Sequence, residues 1–135
     1  MPKITYNNIG ITAISAAIPK NTIKNLEYTN HFDENVVKEI VDKTGIKERR
    51  FAPDHLTSSD LCYHAAEKLI LDNAIDKTEI DVLIFVSQTP DYRMPATSII
   101  LQDRLGLSKD TAAFDVSLGC SGFVYGLTMA YNYAN

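Results

Sequence analysis

Apolar positions along the 135 residues recur in two rhythms, one with the period of a strand and one with that of a helix. Near the start, Ile9, Ile11 and Ala13 alternate with Gly10 and Thr12, which predicts a strand ending near Pro19. The period then lengthens. Val36, Val37, Ile40 and Val41 make the apolar face of a helix that Asp33 can cap and Gly45 stop. Thr57 and Asp60 have capping-box spacing, and Leu61, Cys62, Ala65, Ala66 and Leu69 follow at helical period. Residues 81 to 87, DVLIFVS, are a continuous apolar run of strand length, which predicts a strand covered on both faces. TPDYRMP, residues 89 to 95, is a loop bounded by prolines, and a helix runs from Ala96 to Leu105 with Gly106 as its stop. AAFDVSL, from Ala112, reads as a second buried strand, and from Ser121 a helix continues along Phe123, Leu127 and Tyr131.

Strands alternating with helices predict an α/β fold, with a largely parallel central sheet and helices on both faces. Sheets of this kind place reactive groups at the carboxyl ends of strands, in the loops that lead into helices. The length suits one domain over residues 1–135, and no repeat, low-complexity tract or linker divides it. A formal charge of −4 argues against nucleic acid as a partner. No cationic segment followed by an apolar one opens the chain, so no export signal is expected. Cys62 and Cys120 are then expected as free thiols in a reducing compartment, the cytoplasm. The uncharged stretch after Asp115 raises the question of a membrane span. Ser117, Gly119, Ser121, Gly122, Gly126, Thr128 and Asn132 interrupt it, so a helix buried inside a larger soluble fold is expected instead.

Within that stretch, SLGCSGFVYG sets Cys120 where a strand gives way to a helix. A free cysteine is often a small buried hydrophobe. At the start of a helix it gains another role, because that end stabilises an anion by about 0.3 to 2 kcal/mol and aims N–H groups at a developing oxyanion. Gly119 and Gly122 allow a substrate carbonyl close to the backbone. The position suits acyl-thioester exchange. Other chemistries lack their motifs. In GCSGF the second glycine is out of register for a serine nucleophile elbow, and neither a G-x-G-x-x-G nor a Walker loop occurs. His31, His55 and His64 lack the spacing of metal ligands, so no metal is expected, and His64 reads as a surface or boundary residue. Cys62, on the apolar side of its helix, is expected to pack in the core. KTGIKERR, residues 43 to 50, bunches basic side chains that are a solvated face or, functionally, a contact for phosphate or an acidic partner.

Taken in order, KTGIKERR, DYRMPATSIILQDRLGL and FDVSLGCSGFVYGLTMA resemble the ketoacyl-acyl carrier protein synthase III family of condensing enzymes, of thiolase fold. The resemblance runs from the first strand to the last residue. It implies that the chain is the amino-terminal half of a two-half enzyme, incomplete at its carboxyl end, with the family's catalytic histidine and asparagine beyond residue 135. It implies that Cys120 takes an acyl group from an acyl-coenzyme A or acyl carrier protein thioester. Malonyl carrier protein is then decarboxylated, and its carbanion attacks the acyl-cysteine to give a 3-oxoacyl product of fatty acid synthesis. By the same resemblance the Cys120 N–H is one oxyanion donor. Lys43 and Thr44 stand where an arginine and a threonine meet coenzyme A, and Met94 stands where an aromatic reaches across a homodimer to floor the partner's acyl pocket. No permanently bound cofactor is implied. Glu39 departs from the pattern: it replaces a tryptophan that stacks on adenine, and the chain has no tryptophan. A carboxylate there faces the coenzyme's phosphates unfavourably, which points to a carrier-bound or unusual donor. Two alternatives accompany this reading, a related thiolase-fold acyltransferase of secondary-metabolite or polysaccharide pathways and a non-catalytic module that binds acyl thioesters or a carrier protein. The 135 residues alone are expected to be inactive.

Overall fold

The computed structural model describes residues 3–29 and 32–135. The chain divides into two compact units, Met1–Ala17 with Ser58–Asn135, and Ile18–Thr57 between them in sequence.

The smaller unit holds β1 (Asn21–Lys24), α1 (Glu34–Thr44) and β2 (Glu48–Phe51). Helix α1 follows its sequence signals at both ends. The Asp33 carboxylate accepts from the Asn35 N–H, and Gly45 closes the helix at φ +70°, a left-handed conformation that favours glycine. Val37 and Val41 are buried, whereas Val36 and Ile40 of the predicted face are exposed. Strands β1 and β2 pair antiparallel, Asn21 opposite Phe51 and Lys24 opposite Glu48. Neither strand has a hydrophobic run, and each buries at most one residue partially. What holds them is side-chain chemistry: the Arg49 guanidinium lies 5.1 Å from the rings of both Tyr28 and Phe51, and it donates to Asn25.

The larger unit contains α2 (Ser58–Asp72), β3 (Val82–Val86), α3 (Thr97–Leu105), β4 (Ala112–Val116) and α4 (Gly122–Tyr133). Strands β3 and β4 are parallel, in register from Val82 with Ala112 to Val86 with Val116. Their side chains alternate, so Val82, Ile84 and Val86 face α4, beside a hollow of about 700 Å³ that all three line, while Phe85 and Asp115 face α3. Helices on the two faces and a parallel pair between them are the expected α/β arrangement. Phe85, Leu101, Leu105, Leu107 and Val116 form the buried core. Two ion pairs join the surrounding helices. Arg104 of α3 meets Asp60 of α2 at 2.9 Å and lies over the Tyr63 ring, and Lys77 bridges Glu67 and the Leu105 carbonyl.

Two expectations are corrected, on residues 9 to 13 and on Cys62. Residues 9 to 13 are not a strand, since no described strand runs alongside to accept their N–H and C=O groups. Burial does alternate just beyond, with Ala13, Ser15 and Ala17 half-buried and Ile14 and Ile18 exposed. Cys62 is exposed, not core, because α2 presses Ser59 rather than its apolar stripe into the interior. In α4 only Gly122 and Gly126 are buried; Phe123, Val124 and Tyr125 face outward, while Leu127, Met129 and Tyr131 are half-covered. Tyr6 supplies part of that cover, packing edge-on against Tyr131 and donating to the Asn132 side chain. Among the described residues, no helix is long and apolar enough to cross a membrane.

Candidate functional site

Cys120 occupies the corner of a tight turn between β4 and α4. The Gly122 N–H donates to the Gly119 carbonyl at 2.8 Å, and Ser121 at φ −85°, ψ −9° has the geometry of the third residue of a type I turn. Cys120 is therefore the second residue of that turn, and its side chain is exposed. Among the described residues, none accepts a hydrogen bond from the Cys120 N–H.

Glycine makes this placement possible. A Cβ at Gly122 would lie 2.8 Å from Val86 Cγ1, and one at Gly126 would lie 2.7 Å from Val86 Cγ2. One valine thus sits between two glycines, and α4 approaches the end of β3 more closely than any larger residue allows. A Cβ at Gly119 would meet the Gln88 amide at 2.6 Å, so Gln88 lies directly over the turn. Beside the turn is a hollow of about 480 Å³ lined by Val86, Ser87, Gln88, Thr89, Leu118, Gly119 and Phe123. Cys120 lies next to this lining but is not part of it.

The loop from Thr89 to Pro95 leaves that hollow and carries Met94, which is 87% exposed. Both ends of the loop are fastened. The Ser58 hydroxyl donates to the Thr89 carbonyl at 3.0 Å, and the Ser59 hydroxyl donates to Asp91. At the other end the Asp115 carboxylate accepts from the Thr97 and Ser98 N–H groups, at 2.9 and 2.8 Å. Burial raises the Cys62 pKa above the ordinary cysteine range, and the nearby Asp91 carboxylate adds to the effect. Although Cys62 is exposed as a residue, its sulfur is crowded enough for the thiolate to be disfavoured.

Lys43 and Thr44 lie in the smaller unit, at the end of α1. Lys43 is ion-paired with Glu39, one helical turn earlier. The Thr44 hydroxyl donates to the Ile40 carbonyl at 2.7 Å and accepts from the Ile46 N–H, so the helix end itself uses it. Beside them is a small apolar hollow of about 280 Å³ with Tyr28, Phe32, Ile40, Ile46 and Arg49 in its walls. His64 is exposed on α2 against Tyr63, and His31 lies outside the described residues. Among the described residues, no three His, Cys, Asp or Glu side chains cluster as metal ligands would. Sequence reasoning missed Asp115 as the fastening of α3, because the capped helix begins 18 residues upstream of it.

No protein-family model matches the chain. It is 44% identical over 127 residues to a β-ketoacyl-[acyl-carrier-protein] synthase III of Ehrlichia canis, covering 91% of this chain and 38% of that protein. A 3-oxoacyl-(acyl-carrier protein) synthase from Burkholderia xenovorans superposes with a TM-score of 0.82 at 38% identity, over 88% of this chain and 35% of the other. The OleA of Xanthomonas campestris with cerulenin bound superposes with a TM-score of 0.83 at 27% identity, over 94% of this chain and 39% of the other. The chain spans a little over a third of the length of the curated relatives it matches.

Proposed function

From its homology to 3-oxoacyl-(acyl-carrier-protein) synthase III over nine-tenths of its length, we propose that this chain supplies the nucleophile-bearing part of such a condensing enzyme. The observation that carries the reading is Cys120, exposed at the corner of the β4–α4 turn, with its N–H free of any described acceptor. The Cys120 thiolate attacks the carbonyl of an acyl thioester, and the coenzyme A or carrier thiol leaves. Decarboxylation of malonyl carrier protein releases CO2 and a carbanion. That carbanion attacks the acyl-cysteine, forming the new C–C bond, expelling the thiolate and releasing a 3-oxoacyl carrier protein. The Cys120 N–H serves as one oxyanion donor in both tetrahedral steps.

The donor fits a carrier-bound thioester better than free acyl-coenzyme A. Lys43 is neutralised by Glu39, and the Thr44 hydroxyl is engaged within the helix end. Met94, exposed on its fastened loop, is the contact for the acyl chain of the partner subunit, and the loop around it belongs to the interface of a cytoplasmic homodimer. The 135 residues alone do not turn over, because no described histidine shares the Cys120 turn to stabilise an enolate during decarboxylation.

A second reading, a related thiolase-fold acyltransferase outside fatty acid synthesis, has one observation in its favour: the OleA superposition is as close as that of the Burkholderia synthase. Its identity of 27% against 38% places it second. Incubating the complete protein with acyl carrier protein and acyl-coenzyme A thioesters, then mapping peptides by mass spectrometry, tests the reading. The acyl mass is expected on the peptide containing Cys120. Label on Cys62 with Cys120 bare would overturn it.

A further inference from the structure

We propose that Asp115 is a positioning residue, which sets the register of the Met94 loop against the turn that carries Cys120. The proposal rests on the acyl-transfer reading above and deepens it. Helix α3 begins after Ala96, whose side chain cannot cap a helix, and no local side chain does so. Its first N–H groups still require acceptors. Asp115 provides both, one carboxylate oxygen each to Thr97 and Ser98, across the gap from β4. Thr97 and Ser98 are themselves fully buried at 0% exposure, while Asp115 is half-buried, so the two donors depend on this carboxylate rather than on water.

Its place in the chain gives the fastening a second effect. Upstream of Thr97 lie Ala96, Pro95 and the exposed Met94; downstream of Asp115, strand β4 runs directly into the Cys120 turn. A single carboxylate therefore joins the segment proposed to sense the partner subunit's acyl chain to the strand that delivers this chain's own nucleophile, so that the two pockets of a dimer are registered through it. The loop's other end already forms a wall of the hollow beside that turn, through Thr89. With Ser58 and Ser59 holding that end, Asp115 completes the second of two attachments. A cap formed within α3 would stabilise the helix equally well. It would leave the loop unregistered against β4.

This difference supplies the test. In the complete protein, Asp115→Ala, Asp115→Asn and the double variant Ala96→Asp with Asp115→Ala are compared for thermal midpoint and for kcat/KM across acyl donors of increasing chain length. Ala96 already has the extended φ −59°, ψ 143° of an N-cap residue, so aspartate there can cap locally. Asp115→Ala is expected to lower the midpoint and to reduce kcat/KM for the preferred donor by about 10-fold to 100-fold, as misplacement on the ångström scale does. The double variant should recover the midpoint and keep the altered chain-length profile. Asp115→Asn retains one acceptor and is expected to show the same profile change more weakly, which keeps the test alive if the alanine variants do not fold. A chain-length profile unchanged in folded Asp115→Asn, or restored in the double variant, overturns the proposal. Failure of the unmodified protein to acylate Cys120 would instead overturn the acyl-transfer reading, so the two failures remain distinct.

Discussion

Replacing Gly126 with alanine sets two effects of known size against each other. In the interior of a helix, Gly→Ala ordinarily stabilises by about 0.8 to 1 kcal/mol. Here the new Cβ would lie 2.7 Å from Val86 Cγ2. Val86 cannot move aside cheaply, because a β-branched side chain in a strand is stiff at χ1 and its other methyl already faces Gly122. Overpacking of this kind costs about 1 to 3 kcal/mol. The clash is larger, and Gly126→Ala should destabilise by about 1 kcal/mol. Val86→Ala removes both methyls, at about 0.8 kcal/mol each, for a loss of roughly 1.5 kcal/mol. In that background the Gly126→Ala clash is gone and only the helix gain of about 1 kcal/mol remains. The double variant should then lie about 0.5 kcal/mol below the parent, where additivity predicts a deficit of about 2.5 kcal/mol. Urea unfolding of the four proteins, at constant m-value, reads this coupling of about 2 kcal/mol. Additivity within about 0.5 kcal/mol, or a Gly126→Ala protein more stable than its parent, would show that α4 does not press on Val86 as described.

Met94→Phe should shift chain-length preference toward short acyl donors, because a rigid ring replaces an unbranched side chain in the proposed pocket; an unchanged profile would remove Met94 from it. Glu39→Gln frees Lys43 from an exposed pair worth about 0.2 to 1 kcal/mol, so KM for acyl-coenzyme A should fall about 1.5-fold to 5-fold with little change for carrier-bound donors. Equal effects on both donors would refute that role. Burial disfavours the Cys62 thiolate first and the Asp91 charge second, so alkylation of Cys62, followed by peptide mapping, should have a pH midpoint above that of a free cysteine. Its raised pKa also means that the associated stability is complete below the ordinary cysteine range and is lost as pH rises through it. Asp91→Asn should lower the alkylation midpoint only partly, and a midpoint equal to that of free cysteine would contradict both causes.

The sequence displayed those elements whose determinants are local. Asp33 and Gly45 bound α1, Gly106 ends α3, and the run 82–86 is the strand β3, because caps and apolar runs act within a few residues. Strands β1 and β2 were illegible because NTIK and ERRF are polar and largely exposed; their stability comes from Arg49 meeting Asn25, Tyr28 and Phe51. Residues 9 to 13 show the converse, a strand-like alternation with no neighbouring strand. The placement of Cys120 and its flanking glycines between a strand and a helix was legible from residue types and order. The occupation of Thr44 by its own helix end and the fastening of α3 by Asp115 were not, since each depends on where another backbone group lies in space.

The smaller unit, Ile18–Thr57, interrupts the larger one in sequence, and this has an evolutionary consequence. Glu39, Lys43 and Thr44 lie wholly within the interrupting segment, while Cys120, Met94 and Asp115 lie wholly outside it. Each unit has its own buried residues, Val37 and Val41 in one and Phe85, Leu101 and Leu105 in the other. On the proposed reading, substitutions that alter donor choice fall in a contiguous segment that has buried residues of its own. On the proposed reading, lineages can exchange thioester carriers by drift within one contiguous stretch while the bond-forming apparatus stays under separate selection. A chimaera that swaps this stretch between homologues is the natural unit of recombination for changing which thioester is accepted.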